Sequence, residues 1–281
     1  MTLPYDMGNA GDLLKHGVLA EFVRWQCELG MTLRFLDPFG GEPWGRPVPE
    51  VARRVRALPG CALRTAQTGI DDGRYYGSDL LVRRTADAVG KGHVRVLSGD
   101  ACTARRNRLR ACSLWMLDDV FPGTAPDSGC NRHDGYDALG RIICAAREGD
   151  LLLVDPFFDD FLERRARTVV PRMAAMAERA AVLLFVLHRN PRSRVSQRFD
   201  LLLEHHLRGA WRMTCPPLVD TGVRGESRYH AEIVLAARLL QERKRVREVS
   251  ILSRRLTAFA RDAARVLRLP AKQLEPRLVG H

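Results

Sequence analysis

Lysine is nearly absent from this 281-residue chain. Lys15, Lys91, Lys244 and Lys272 are its only four, although Lys plus Arg reaches 45 against 33 Asp plus Glu. Arginine therefore carries the net charge of +12. Such a balance argues against an acidic-protein role and for a polyanionic partner, nucleic acid first. Arginine enrichment also follows from genomic base composition, so charge alone does not decide. Long apolar runs are missing too. The longest, residues 180–187, falls far short of the ~18 residues of a membrane span. Asp6, Asp12 and Lys15 interrupt the start of the chain, which excludes the apolar core of a signal peptide. The seven cysteines are odd in number and contain no C-x-x-C pair. That usage disfavours a disulfide framework or a zinc site and predicts reduced core thiols in a cytoplasmic protein. No G-x-G-x-x-G occurs, so a dinucleotide is disfavoured, and no G-x-x-x-x-G-K-[ST] exists for a phosphate loop. With 46% hydrophobic and 28% charged residues, disorder is excluded as well.

What is present has a rhythm. Apolar runs at 33–36, 94–97, 151–154 and 182–187 each end in a polar or glycine-containing elbow. Between them, 80–88, 136–146 and 161–180 carry apolar residues at helical spacing. Strands alternating with helices predict an α/β fold on a mainly parallel sheet, with ligands at the carboxyl ends of the strands. The length fits a single domain spanning 1–281. Residues 43–74 read as an inserted segment with a short basic helix at 51–58, and 121–133 as a surface loop. Residues 242–281 form a basic tail with a helix at 251–267, which is either packed by one apolar face or free to face RNA.

Three constellations carry chemistry. In Gly8-Asn9-Ala10-Gly11-Asp12-Leu13-Leu14-Lys15-His16, Asn9 or Asp12 would cap a helix running through Trp25. Lys15 and His16 then sit one turn in, near a positive helix end that suits a ligand carboxylate. A bare Lys-His pair is more often simply on the surface. The elbow Leu36-Asp37-Pro38-Phe39-Gly40-Gly41 lets backbone approach a nucleoside-bearing ligand; a tight left-handed turn is the plainer reading. The third, Val154-Asp155-Pro156-Phe157-Phe158, follows an apolar strand. Asp155 and the Pro156 carbonyl would accept the two hydrogens of an exocyclic amine while Phe158 stacks on the base. Alternatively Asp155 caps the next helix and both phenylalanines lie in the core.

These motifs, taken in order, resemble the RlmJ family of 23S rRNA adenine-N6 methyltransferases. The matching features are Gly8-Asn9 to Asp12, Leu14-Lys15-His16, the Leu36-Asp37 elbow with Gly41, Tyr75-Tyr76-Gly77-Ser78 followed by Leu80-Leu81, Asp134-Gly135-Tyr136, and Asp155-Pro156. The resemblance covers roughly residues 8–160 and implies a Rossmann-like S-adenosylmethionine methyltransferase fold. It further implies the cofactor S-adenosyl-L-methionine, an RNA partner, adenine-N6 methyl transfer and no metal. Matched position by position, Lys15 and His16 lie beside the cofactor's methionine end, Asp37 and Gly41 in the first cofactor loop, and Ser78 in the cofactor wall. Asp134 bonds the cofactor adenine, Asp155 is catalytic and borders the cofactor, and Asp100 suits the ribose if a one-residue shift is allowed.

The chain departs from the family in several places. The family's Asp-Pro-Pro-aromatic is Asp155-Pro156-Phe157-Phe158 here. Pro43 stands for the last glycine of the first loop, and Phe39 for a histidine. The residues before Gly8 do not match, and the inserted segment, which in the family is an RNA-binding subdomain, is short. These changes leave two alternatives open: a catalytically silent nucleic-acid-binding relative, or a DNA adenine methyltransferase. His205-His206, Asp118-Asp119 and Asp159-Asp160 read as surface groups, while Arg105-Arg106 and Arg164-Arg165 read equally as phosphate contacts or solvated charge.

Overall fold

The computed structural model describes residues 7–100, 103–112, 114–120, 135–156, 161–215, 218–222, 225–269, 274 and 276–279. Its strands are β1 (Leu33–Asp37), β2 (Trp44–Gly45), β3 (Tyr75–Tyr76), β4 (Val94–Ser98), β5 (Trp115–Met116), β6 (Asp150–Val154), β7 (Ala181–His188), β8 (Trp211–Thr214), β9 (Leu218–Gly222), β10 (Gly225–Ala237) and β11 (Arg277–Leu278). The helices are α1 (Ala10–Glu28), α2 (Pro49–Ala57), α3 (Ala62–Ala66), α4 (Ser78–Val89), α5 (Thr103–Ala111), α6 (Leu117–Val120), α7 (Gly135–Ala145), α8 (Ala166–Ala177), α9 (Arg194–His206) and α10 (Val246–Leu267). Among these described residues no helix is long and apolar enough to cross a membrane.

The main sheet runs β11-β8-β10-β7-β6-β1-β4-β5, with β9 paired to β10. Strands β5, β4, β1, β6 and β7 are mutually parallel. All five residues of β6 are buried, as befits a strand covered on both faces. Side chains alternate across the sheet. Phe35, Leu151 and Leu183 face a core built with Leu14 and Val18 of α1, Leu81 of α4 and Phe259 of α10. Leu36, Leu152 and Leu184 face a second core with Ile142 of α7, Val170 of α8 and Phe199 of α9. The molecule is therefore a Rossmann-like α/β fold with helices on both faces. Beyond β7 the sheet continues antiparallel through β10, β8 and β11, a wing absent from the sequence reading.

Some boundaries differ from expectation. The helix expected at 161–180 is a π-helical turn, Phe161–Arg165, followed by α8. Residues 43–74 are not a separate body. Val51, Ala52, Val55 and Ile70 form a small core with Met7 and Tyr75, while Ala62, Leu63 and Ala66 join the main core. The basic tail resolves towards packing: α10 buries Leu252, Leu256, Phe259, Ala260, Ala263 and Ala264. It lies so close to α1 that a Cβ added at Gly17 would sit 1.8 Å from the Phe259 ring. Cys27, Cys61 and Cys215 are buried free thiols, while Cys144 is exposed. The expected loop at 121–133 and the pair Asp159-Asp160 lie outside the described residues.

Candidate active site at the carboxyl edge of the sheet

Strand β1 has β4 on one side and β6 on the other. The chain thus builds outward from β1 in one direction, then returns to build in the other. In open α/β sheets the crevice at such a switch point, outside the carboxyl ends, receives ligands. Asp37 ends β1 and Asp155 directly follows β6, so the two acids flank that crevice. Ser98 and Asp100 close its far side after β4.

Helix α1 enters this edge with its first turn. Asn9, not Asp12, is the cap: its side-chain oxygen accepts from the Asp12 amide at 2.8 Å. The Asp12 carboxylate is left to accept from the Gly8 amide at 3.0 Å and to pair with Lys15 at 3.0 Å. Lys15 Nζ also donates to Asp155 Oδ2 at 2.5 Å. Lys15 and His16 are buried rather than on the surface. Burial alone would push the Lys15 ammonium down, but the Asp155 and Asp12 carboxylates outweigh it and hold it above the ordinary lysine value. Burial, and then the Lys15 charge, push His16 down to about 3. His16 is therefore a neutral imidazole, 2.8 Å from the Tyr75 hydroxyl and 3.2 Å from Ser78 Oγ. Asp155 keeps a quarter of its side chain exposed (26%). Its carboxyl is raised above the usual range by burial, against the pull of Lys15. Lys15 engages only Oδ2; Oδ1 has no partner among the described residues.

A second group of acids lies beneath the first loop. Asp37 accepts from the Phe39 amide at 3.1 Å and is raised well above its ordinary value by burial, with Asp79 and Asp155 adding repulsion. Asp79 Oδ2 accepts from Ser98 Oγ at 2.7 Å, while its Oδ1 is buried without a hydrogen-bond partner among the described residues. Burial pushes this acid up to about 7. The loop over them is not a left-handed turn, because neither Gly40 nor Gly41 has positive φ. Gly40 is the glycine that packing requires: a Cβ there would meet Ser98 Oγ at 2.2 Å and the Gly99 carbonyl at 3.0 Å. Gly41 faces open space.

The structure thus brings Lys15, His16, Asp37, Ser78 and Asp155 to one edge, with Pro156 following Asp155. Asp100 is buried there too, its Oδ2 bonded to Arg105 at 2.6 Å and its carbonyl to Arg106 at 2.6 Å. Two arginines of α5 are thereby engaged within the protein. Asp134, Phe157 and Phe158 lie outside the described residues. The neighbouring Gly135 abuts the first loop, where a Cβ would meet Phe39 at 2.5 Å, and Tyr136 packs edge-on against Phe39 at 5.1 Å. His205 is exposed, as expected. Sequence reading gave Asp79 no role. Its one available signal was position, an acid in the first turn of a helix that opens at Ser78.

The Asp79 proton has a measurable consequence. A carboxyl whose pKa is raised on folding stabilises the fold fully below its unfolded value and loses that contribution as pH rises through the folded value. The window here runs from about 4 to about 7, and Asp37 acts in the same direction. Asp79→Asn is expected to gain on the order of 3 kcal/mol relative to the parent between pH 4 and pH 8. Urea unfolding across that range measures it; parallel pH profiles for the two proteins would show that Asp79 is ionised throughout.

Comparison with known proteins adds the fold alone. No protein-family model matches this sequence, and no curated protein matches it. A solved structure, protein LPL1258 from Legionella pneumophila str. Philadelphia 1, described under the family model DUF519, superposes with a TM-score of 0.56. The match covers 81% of this chain and 86% of that one at 13% identity. It supports the Rossmann-like architecture.

Proposed function

We propose that the chain is an S-adenosylmethionine-dependent methyltransferase acting on the N6 amine of adenine in RNA, 23S ribosomal RNA being the substrate the sequence resemblance favours. The observation that carries this reading is the meeting of Asp155 and Lys15 at the switch point between β1 and β6. Residues 140 positions apart supply an acceptor a quarter exposed at the crevice and a cation that opposes its protonation.

The donor set suits a cofactor bearing a sulfonium, an ammonium and a carboxylate. Buried Asp37 and Asp79, with one Asp79 oxygen unpartnered among the described residues, favour a positive group. The start of α1 favours a negative one. Lys15, His16 and Ser78 would border the methionine end, Asp37 and Gly41 the first loop, Asp100 the ribose, and Asp134 the adenine. When bound, S-adenosylmethionine supplies an activated methyl and needs no metal. The protein's own work is orientation. Asp155 and the Pro156 carbonyl hold the amine with its lone pair directed away from the ring, and Phe158 supports the base. Lys15 holds Asp155 in one rotamer and opposes its protonation. A target adenine in structured RNA must leave its stack to reach these groups.

Isothermal titration with S-adenosylmethionine tests the reading at its base, and absence of binding would overturn it. Labelled-methyl transfer into total RNA and genomic DNA then separates an RNA from a DNA enzyme. The Lys15–Asp155 ion pair also favours a second reading, a silent relative whose acid is permanently occupied. Cofactor binding with no transfer to either pool would select that reading.

A further inference from the structure

The sheet ends at β5, a two-residue edge strand paired to β4. Its Trp115 is 54% exposed. Edge strands are commonly protected by charge or cover, and a large exposed aromatic there needs a reason. Arg95 of β4 lies over the indole, its guanidinium 4.1 Å from the ring centroid. Arg83 of α4 stands nearby, donating to the Cys112 carbonyl at 3.3 Å. Neither guanidinium pairs with a carboxylate among the described residues. Together with Val94, Val96 and Leu114 these residues line a pocket of about 230 Å³ at the edge of the sheet.

We infer that this cavity binds a single-stranded stretch of nucleic acid, with a base seated by Trp115 and Arg95 and neighbouring phosphates on the guanidiniums. An exposed aromatic ring beside arginines without carboxylate partners among the described residues supplies the components of a sequence-tolerant single-strand site. An acidic peptide would satisfy the charges but supply no base to stack on the indole and the guanidinium that lies over it. The arginine-borne net charge of +12 supplies the longer-range attraction. The inference rests on the proposed function only for what the strand is doing there, namely holding sequence that flanks a target. The cavity is separate from the acids of the candidate site.

The test uses the full chain and fluorescein-labelled RNA and DNA single strands of about ten nucleotides, a length suited to such sites, followed by anisotropy. Trp115→Ala is expected to weaken binding roughly tenfold, with Trp115→Phe close to the parent because it keeps a stacking ring. Arg83→Gln with Arg95→Gln should lower the slope of log affinity against log salt by about 1.4, two phosphates' worth on a single strand. The tighter of the two polymers identifies the source. Unchanged affinity and slope in these variants would overturn the inference, as would equal sensitivity to a duplex or displacement by polyglutamate at equal charge. Titration with S-adenosylmethionine in parallel keeps the two questions apart. Variants that bind it like the parent but lose the oligonucleotide support the cavity alone. A parent that ignores it yet shows the Trp115 dependence leaves the cavity standing without the methyltransferase.

Discussion

Lys15→Met is expected to destabilise the protein by about 3–5 kcal/mol, the usual result of removing one partner from a buried charge cluster. Methionine replaces most of the lysine stem, so packing against Phe185, which lies 5.4 Å from the ammonium, is largely retained. What is lost is the cation between Asp12 and Asp155. The Asp12 side chain is only 3% exposed, and a carboxylate there has no water to replace Lys15. The variant should recover towards the parent in acid, where both carboxyls take up protons. Adding Asp12→Asn should recover part of the loss at neutral pH. In the parent, the raised Lys15 pKa means that its contribution is complete below the ordinary lysine value and is lost only as pH climbs through the folded one. Denaturant unfolding of the single and double variants measures these differences. A Lys15→Met protein as stable as the parent would show that the cluster contributes nothing net.

Asp155→Ala separates chemistry from architecture. If Asp155 accepts from the target amine, losing it should cost on the order of ~3 kcal/mol of transition-state stabilisation, about a hundredfold or more in rate. Asp155→Asn retains one acceptor oxygen for the amine or for Lys15 and should keep more activity than alanine. A carboxyl that merely capped a helix would cost about 1 kcal/mol of stability, and activity would fall only with the folded fraction. Because Asp155 also pairs with Lys15, some destabilisation accompanies either case. Single-turnover methyl transfer per folded molecule, beside thermal melts, is therefore the decisive comparison. A normal rate from a destabilised Asp155→Ala protein would end the catalytic assignment.

The parallel half of the sheet was legible because β1, β4, β6 and β7 are apolar runs that stop at polar elbows. The antiparallel wing was not. The segment 231–237 is rich in alanine, and β8, β9 and β10 follow one another with no helix among the described residues between them to set a period. Helix α1 misled in another way. Asp12, Lys15, His16 and Glu21 suggest a polar face, yet all four are buried, and the last three are paired across a distance that sequence does not display. Lys15 meets Asp155, His16 meets Tyr75 and Ser78, and Glu21 accepts from the Ala62 amide at 2.7 Å. The candidate site was thus readable as a set of residue types at strand ends, whereas its ion pairs emerged only with topology. Asp79 shows the same limit, since nothing local distinguishes a buried helix-opening acid from a solvated one.

The missing side chain at Gly17 has a mechanical meaning. It lets the Phe259 ring rest against the backbone of α1, the same helix that presents Asp12, Lys15 and His16 within the five residues before Gly17. Helix α10 is consequently the backstop of the candidate site, limiting how far α1 can roll or slide beneath the acids of β1 and β6. Cutting the chain after β10 would remove none of the crevice residues named above, yet it would release the support that keeps the Lys15 ammonium in register with Asp155. The alignment of the crevice groups carried by α1 is therefore set by a helix more than two hundred residues further along the chain.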